Sequence, residues 1–439
     1  MIDEIYWHSV TLERNNCKGC TNCLKLCPTQ AIRIQNGKAK ILKERCIDCG
    51  ECIRVCPYHA KKAVTDGFEC LENYKFNIAL VAPAFYGQFS KTEDVDLILT
   101  ALTIIGFDDV FEVAQGAQAI SAKTQELLES GQLLKPAISS ACPAVSRLIA
   151  VRFPDLIKNI IPLRSPMEIS AEHARRVAIK HTNFKSEEIG IFFISPCAAK
   201  ATAVKDGLSV NKSEVDGVIS IKDTYLKLAQ QLGNIENVKK LTHSGKAGIL
   251  WATSGGESRA THAERTVSVD GIHNVINVLD DIEDDRLGDI DYVEALACPG
   301  GCVGGPLTTE NNFVARSRIK RICKHLPQRI HKIDDDIERM WDKPPVYRPV
   351  MKLDNNIKTA MQMAIELDEI RDRLPGLDCG SCGSPCCHSL AEDIVRGYAK
   401  ETDCIFLLKE KLNSLIQQMT DKIEENGCGL KNIRERVEE

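Results

Sequence analysis

Apolar positions along the chain change their rhythm from one region to the next. Between residues 75 and 340, short and nearly continuous apolar runs alternate with longer amphipathic ones. Phe76–Val81 (FNIALV) and Ile189–Ile194 (IGIFFI) read as buried strands, and Val110–Val113 as a shorter one. Val95–Ile105, Gln118–Leu128 and Tyr225–Leu232 read as helices. Strand–helix alternation predicts an α/β fold with largely parallel pairing, and such sheets place ligands at the carboxyl ends of their strands. Residues 342–350 (DKPPVYRPV) break the rhythm, because three prolines in six residues mark a linker. A helical stretch follows. From Ile405 the tail repeats Ile405, Leu408, Leu412, Leu415 and Met419 in steps of three and four, the heptad spacing of a short coiled coil.

Length and charge narrow the class. At roughly 150 residues per domain, 439 residues suggest about three domains. A formal net charge of -5 provides no basic excess for nucleic acid. No apolar run approaches the roughly 18 residues of a membrane span. The first residues, MIDEIYWHSV, lack the apolar core of a secretory signal, so a cytoplasmic location is expected. The 20 cysteines are the outlier. Many lie two residues apart, and in a reducing compartment such thiols are metal ligands far more often than disulfides.

Eight of them form two matching runs, each C-x2-C-x2-C-x3-C-P: Cys17, Cys20, Cys23, Cys27 and Cys46, Cys49, Cys52, Cys56. Three cysteines at this spacing wrap three corners of one cubane, and the fourth, before proline, ligates the other. Cys17, Cys20, Cys23 and Cys56 are therefore expected to hold one [4Fe–4S] cluster, and Cys46, Cys49, Cys52 and Cys27 a second. Paired zinc knuckles are the alternative, although structural zinc sites more usually join two C-x2-4-C hooks. One-electron transfer is the job of such a module.

Four further cysteines stand at predicted strand ends. Cys142 lies in Ser139-Ser140-Ala141-Cys142-Pro143. Cys197 lies in Ser195-Pro196-Cys197-Ala198-Ala199-Lys200, directly after IGIFFI. Cys298 and Cys302 lie in Glu294-Ala-Leu-Ala-Cys298-Pro-Gly-Gly-Cys302-Val-Gly-Gly. Their loops can converge, the glycines let backbone approach a bulky group, and Lys200 brings a positive charge. Cys70, Cys323 and Cys428 lack such context and read as ordinary buried cysteines.

These three segments resemble the motifs T-S-C-C-P, M-P-C-x-x-K and E-x-M-x-C-x-G-G-C-x-x-G-G of the [FeFe]-hydrogenases, in the family's order and behind the doubled cluster module. The resemblance spans roughly residues 10–325. It implies that Cys142, Cys197, Cys298 and Cys302 bind a [4Fe–4S] cubane, and that Cys302 bridges to a diiron unit carrying CO, cyanide and an azadithiolate. It also implies that Lys200 hydrogen-bonds a cyanide and that Ala82-Pro83-Ala84 forms pocket wall. Together with the other modules, the cofactors expected are three [4Fe–4S] clusters plus this H-cluster.

The departures from the family bear on mechanism. Ala141 replaces the cysteine that passes protons to the bridging amine, and a methyl group neither donates nor accepts a proton. Ser195 and Leu296 replace two methionines that pack around the diiron unit. Glu257 and Glu294 are the candidates for a substitute proton path, while Glu126 and Ser165 read as remnants of the usual one.

The third cysteine group, Cys379, Cys382, Cys386, Cys387 and Cys404, resembles the small [4Fe–4S] domain of Rnf-type electron-transfer subunits and corrinoid iron–sulfur proteins. That match makes Cys379, Cys382, Cys387 and Cys404 the ligands and leaves Cys386 aside. A four-thiolate zinc site is the alternative. A third cubane ahead of an amphipathic helix resembles the sensory branch of [FeFe]-hydrogenases, some of which continue into a PAS domain where this sequence stops at Glu439.

The expected fold is α/β in class. A ferredoxin-like two-[4Fe–4S] N-terminal domain (1–72) precedes an H-cluster domain (73–340). A linker with a small helical [4Fe–4S] module (341–404) and an amphipathic helical tail (405–439) complete it. The expected function is slow, reversible H2 ⇌ 2H+ + 2e- in the service of H2 or redox sensing. A catalytic ferredoxin-linked hydrogenase, or an electron-transfer protein without the diiron site, are the alternatives. The expected partners are H2, protons, and a ferredoxin or a signalling kinase or phosphatase, with no nucleic acid and no membrane. The tail would pair two copies or pack back on the core.

Overall fold

The computed structural model describes residues 7–328 and 333–425. Cys428 and the rest of the tail lie outside the described residues. The chain forms two compact units, Met1–Cys17 with Ile41–Val350, and Lys18–Lys40 with Met351–Glu439. The units cut across the chain-order segments expected from the sequence. The stretch carrying Cys20, Cys23 and Cys27 groups with the C-terminal module, for reasons visible in the contacts of the second unit.

Four short strands come first: β1 (Val10–Leu12), β2 (Ile32–Gln35), β3 (Lys38–Ile41) and β4 (Lys61–Ala63). In the larger unit, β1 pairs antiparallel with β4. In the smaller one, β2 and β3 form a two-stranded sheet. Its turn is Asn36-Gly37, both with positive φ (51° and 70°), as a tight primed hairpin turn requires.

The larger unit then builds two parallel sheets from β5 (Phe76–Val81), β6 (Asp109–Glu112), β7 (Ala137–Ile138), β8 (Ile189–Ser195), β9 (Gly217–Ser220), β10 (Thr266–Asp270) and β11 (Tyr292–Leu296). The first sheet has the order β6-β5-β8-β9 and the second β10-β11-β7, with every pair parallel. The continuous apolar runs of β5 and β8 have a simple cause. Ala79, Val81, Phe192 and Ile194 join an apolar cluster on one face, and Ile78, Leu80, Ile191 and Phe193 join another on the opposite face. A strand covered on both sides has no polar face to alternate with.

The helices that position the site are α1 (Val95–Ile104), α2 (Val113–Glu129), α3 (Pro143–Arg152), α4 (Pro166–Thr182), α5 (Ala198–Asp206), α6 (Ile221–Leu228) and α7 (Gly256–Thr261). Two helix starts differ from the sequence reading by four residues or more, and the second of these helices also ends four residues early, at Leu228. Helix α2 starts at Val113 rather than Gln118, because β6 ends at Glu112 and runs straight into it. Helix α6 starts at Ile221 rather than Tyr225, because Ser220 caps it, its Oγ accepting from the Asp223 amide at 2.9 Å.

The smaller unit adds α8 (Ile357–Arg373), α9 (Cys387–Val395) and α10 (Ile405–Glu425). Ile405, Leu408, Leu412, Leu415 and Met419 are all exposed on α10, from 40% to 64%. The alternative in which this stripe packs back on a core does not hold, since solvent rather than protein covers it among the described residues.

Candidate metal centre

Each of the four central cysteines follows a parallel strand. Cys142 stands four residues after β7, Cys197 two after β8, and Cys298 two after β11. Ala82-Pro83-Ala84 leaves the end of β5. Carboxyl ends from both sheets thus face one space, as the strand–helix alternation predicts. Cys142 and Cys197 are also the N-terminal capping residues of α3 and α5, and at Cys197 the positive end of the helix meets the thiol sulfur. The Lys200 amide donates to Cys197 Sγ at 3.4 Å. Gly301 has φ +96°, and a Cβ there would stand 2.6 Å from the Ser254 amide nitrogen, so no other residue fits between Cys298 and Cys302 at this point.

The space enclosed is a cavity of about 800 Å³, counted as volume free of protein atoms and partly open to solvent. Its walls include all four cysteines, Ala82-Pro83-Ala84, Ala141, Lys200, Glu257 and Leu296, together with Met167, Phe193 and Trp251. Burial pushes the Cys197 thiol up to about 11 and the Cys302 thiol up to about 12, and drives Cys298 well above the ordinary thiol range. Thiolates at such a site need cations beside them. Four converging free thiols, one ammonium group, one carboxyl and otherwise apolar walls fit a thiolate-ligated cluster carrying a bulky group of low polarity. Lys200 Nζ donates to the Ala141 carbonyl at 3.3 Å, at the edge of this space.

A second positive group faces the same loop. Arg54, between Cys52 and Cys56, donates from Nη1 to the Gly304 carbonyl at 3.3 Å. Its charge opposes the effect of burial on Cys298. A Cβ on Gly50 would meet Pro306 Cγ at 2.4 Å. The second cysteine run therefore abuts the Cys298–Pro306 loop directly.

The acids divide. Glu257 lines the cavity, and Ser139 Oγ lies 2.8 and 2.9 Å from its two carboxylate oxygens. Burial, then the charge of Glu294, push Glu257 up to about 8. Tyr292 is fully buried beside it. Ser139 Oγ also accepts from the Ala141 amide at 3.2 Å. A small crevice, too tight to hold a water molecule, is lined by Ala141, Glu257, Ser139, Ser140, Thr124 and Arg164. Glu294 is placed otherwise. It is not on the cavity wall, and its carboxylate accepts from the Gly255 amide at 3.0 Å and the Ser258 amide at 2.8 Å, holding the start of α7.

Three sequence-selected groups also lie away from the cavity. Ser195 is buried with its hydroxyl turned onto its own loop, donating to the Cys197 carbonyl at 3.0 Å and accepting from the Cys197 amide at 3.2 Å. It shapes the cysteine turn and does not pack against the space where the family has methionine. Ser165 caps α4, accepting from the Glu168 amide at 3.4 Å. Glu126 is exposed and pairs with Lys123 at 2.6 Å, because α2 turns that position to solvent. Cys70 donates to the Gly67 carbonyl at 2.7 Å, and Cys323 is buried in an apolar cluster. Both behave as ordinary cysteines.

In the smaller unit, Cys382, Cys387 and Cys404 share one apolar cluster. The charges of Cys379 and Cys404 both bear on Cys382, whose thiol is pushed up first by burial. Cys386 faces elsewhere. Its Sγ accepts from the Ser389 amide at 3.4 Å and from Gln30 Nε2 at 3.8 Å. Cys386 is thus held outside the apolar cluster that Cys387 joins.

Thiols gathered in this way define an iron–sulfur protein. Residues 16–60 match the family of 4Fe-4S dicluster domains, and residues 374–406 match a family of Fe–S cluster domains. Residues 75–266 and 235–306 match the family described as iron-only hydrogenase large subunit, C-terminal domain. These stretches cover more than half of the chain, and the protein belongs to that family.

Among characterised relatives, it is 24% identical to the periplasmic [Fe] hydrogenase large subunit of Nitratidesulfovibrio vulgaris, over 68% of this chain and 86% of that one. It is 24% identical to iron hydrogenase 1 of Clostridium pasteurianum, over 47% of this chain but 44% of that longer protein. Among solved structures, a variant of the [FeFe]-hydrogenase HydA1 from Chlamydomonas reinhardtii superposes with a TM-score of 0.50 at 15% identity, over 64% of this chain and 99% of that one.

Sequence reasoning missed Ser139 as the partner of Glu257, and also Tyr292, Met167, Trp251 and Arg54. Of these only Arg54 carried a local signal, a cation enclosed by two cluster cysteines.

Proposed function

We propose that this protein is an [FeFe]-hydrogenase of low turnover, catalysing H2 ⇌ 2H+ + 2e- and serving as an H2 or redox sensor in the cytoplasm. One observation carries the reading. The cavity keeps all four cysteines and Lys200, yet at the position of the proton-passing thiol it presents Ala141. Cys142, Cys197, Cys298 and Cys302 would hold the H-cluster, and Lys200 would offer it a hydrogen bond and a positive charge. Bound there, the H-cluster supplies the redox chemistry of making and splitting H2.

The chain's own task is then to exclude water and move protons. Apolar walls from Phe193, Met167 and Trp251 do the first. For the second, Glu257 is the acid on the wall, and a carboxyl poised near neutral pH both gives and takes protons. Ser139 orients it, and the hydroxyls of Ser140 and Thr124 line the tight crevice beside it. A path rebuilt from one carboxyl without a thiol supports slow rather than fast turnover.

The C-terminal module and the exposed stripe of α10 support a signalling output, to a kinase or phosphatase or through a homodimer of the tail. The well-placed Glu257 also favours a second reading, a catalytic enzyme coupled to ferredoxin through a rerouted proton path.

Infrared spectroscopy after maturation with a synthetic diiron cofactor tests the proposal. Bands of bound CO and cyanide that shift under H2, with turnover per site far below fermentative hydrogenases, are expected. Properly reconstituted protein without such bands would leave only an electron-transfer protein, and fast turnover would favour the ferredoxin-coupled enzyme.

A further inference from the structure

The smaller unit joins two segments more than 300 residues apart in sequence. Its contacts fall immediately beside cysteines of both. Cys379 is followed by Gly380, where a Cβ would stand 3.1 Å from Leu24, the neighbour of Cys23. Cys382 is followed by Gly383, whose carbonyl accepts from the Ile34 amide of β2 at 2.8 Å. A Cβ on Gly383 would lie 2.2 Å from the Ile34 carbonyl, so this approach excludes any side chain. Gln30, three residues after Cys27, accepts from Ser389 Oγ at 2.7 Å and donates to Cys386 Sγ.

The lock is charged and buried. Arg33 donates from Nε and Nη2 to the two oxygens of Asp393 at 2.5 and 3.0 Å, and Ser384 Oγ donates to the same carboxylate at 2.9 Å. Arg33 and Asp393 are 4% and 7% exposed. A two-pronged pair desolvated to this degree is expensive to break, because either partner alone is left as an uncompensated buried charge. A module merely tethered by its linker would not need it.

We infer that the C-terminal cluster is seated against the Cys20–Cys27 run as the outermost link of the electron chain, so that electrons enter and leave through the C-terminal module. The inference rests on the proposed hydrogenase reading for its direction but not for its geometry. The second cysteine run abuts the H-cluster loop through Arg54 and Gly50. The two runs exchange their fourth ligands in the doubled motif, which keeps their cubanes adjacent. The order is then H-cluster, second-run cluster, first-run cluster, C-terminal cluster. Each H2 split releases two protons and two electrons. The electrons pass singly down this series, and each reduces one molecule of a one-electron acceptor protein. Exposed Tyr398 and Leu377 flank the C-terminal cysteines as part of the face such a protein would meet.

The test begins with the full chain carrying its accessory clusters and no diiron unit. Fully reduced, it should show by electron paramagnetic resonance a C-terminal cluster signal broadened by magnetic coupling to a neighbouring cluster. Cys387→Ala should remove one cluster's share of iron and that coupling, whereas Cys386→Ala should retain both. Arg33→Gln should keep the iron and weaken the coupling. If that variant does not fold, the cysteine pair still decides. A magnetically isolated C-terminal signal in the wild type would overturn the seating.

After loading with synthetic cofactor, H2-dependent reduction of cytochrome c should be lost in Cys387→Ala, while H2/D2O exchange, which needs no electron exit, persists. Undiminished cytochrome reduction would overturn the port. Absence of exchange in the wild type would instead count against the hydrogenase reading and leave the coupling result standing.

Discussion

The cavity has two walls fixed by different means. On the cysteine wall, position comes from backbone. Each thiol follows a parallel strand by a few residues, and α3 and α5 begin on two of them. On the acid wall, position comes from side chains far apart in sequence, such as Ser139 with Glu257. The first kind of wall tolerates little change, because moving one thiol moves a strand. The second can be rewritten residue by residue. The contrast is what the proposed reading requires, with four thiols fixed by backbone and an apolar Ala141 where that reading places the family's proton thiol.

The largest break comes on the cysteine wall. Cys302→Ala is expected to abolish the infrared bands of a diiron unit and all H2 chemistry, while iron at the other clusters stays. Retained bands would mean that Cys302 is not the shared ligand.

On the acid wall the losses should be graded. Glu257→Gln keeps the shape and the contact with Ser139 but cannot carry a proton, so H2 evolution should fall by roughly 10²-fold with the cofactor bands unchanged. The pH dependence has a definite sign. Glu257 is raised to about 8, so it holds its proton below that value and loses it above. Evolution should therefore decline as pH rises past about 8, and the variant should lack that limb. Stability follows the same direction. A carboxyl raised in the folded state contributes fully below its ordinary range near 4.5, and that contribution is lost as pH rises through about 8. Urea midpoints of the cofactor-free protein should fall over this window, and less steeply in Glu257→Gln. Glu294, Glu168 and Glu112, also raised by burial, share the remaining slope. An unchanged rate in Glu257→Gln would remove it from the proton path.

The contrast between the walls also governs what the sequence could tell. The strands FNIALV and IGIFFI, the parallel pairing and the four cysteine positions were legible, because ligation demands one residue type at strand ends and the motifs are local. Ser195 and Glu294 were legible as positions but not as roles. A hydroxyl two residues before Cys197 serves its own turn, and Glu294 clamps the start of α7 through backbone amides supplied by a different segment. Glu126 was misread because two residues of helical phase decide between the cavity and solvent. The grouping of Lys18–Lys40 with the C-terminal module was illegible, because Arg33 and Asp393 find each other only in three dimensions.

A smaller effect is expected where the electron chain meets the cavity. Arg54 holds its guanidinium against the Cys298–Pro306 loop, and its buried Nε has no hydrogen-bond acceptor among protein atoms. A cation beside an anionic cluster favours the reduced form. Arg54→Gln should shift the H-cluster midpoint to more negative potentials in a redox titration followed by infrared, with ligation intact. An unmoved midpoint would make Arg54 a packing residue only.

The smallest effect is expected from restoring the missing thiol. Ala141→Cys puts a proton carrier back on the cavity wall, but a carrier is only as good as its next neighbour. The tight crevice beside Ala141 presents Ile120, Thr124, Ile161 and Leu163, none of them an acid, and Glu126 lies on the surface with Lys123. The carboxyl that lines both spaces with Ala141 is the one already on the wall, Glu257. A new thiol would therefore feed the existing path rather than reopen another, and the gain should stay well short of the roughly 10²-fold that a complete acid–base relay supplies. In the double variant with Glu257→Gln, the thiol should rescue almost nothing. Rescue to wild-type rates would show that protons leave by a route independent of Glu257, and the acid wall would then be as dispensable as the cysteine wall is fixed.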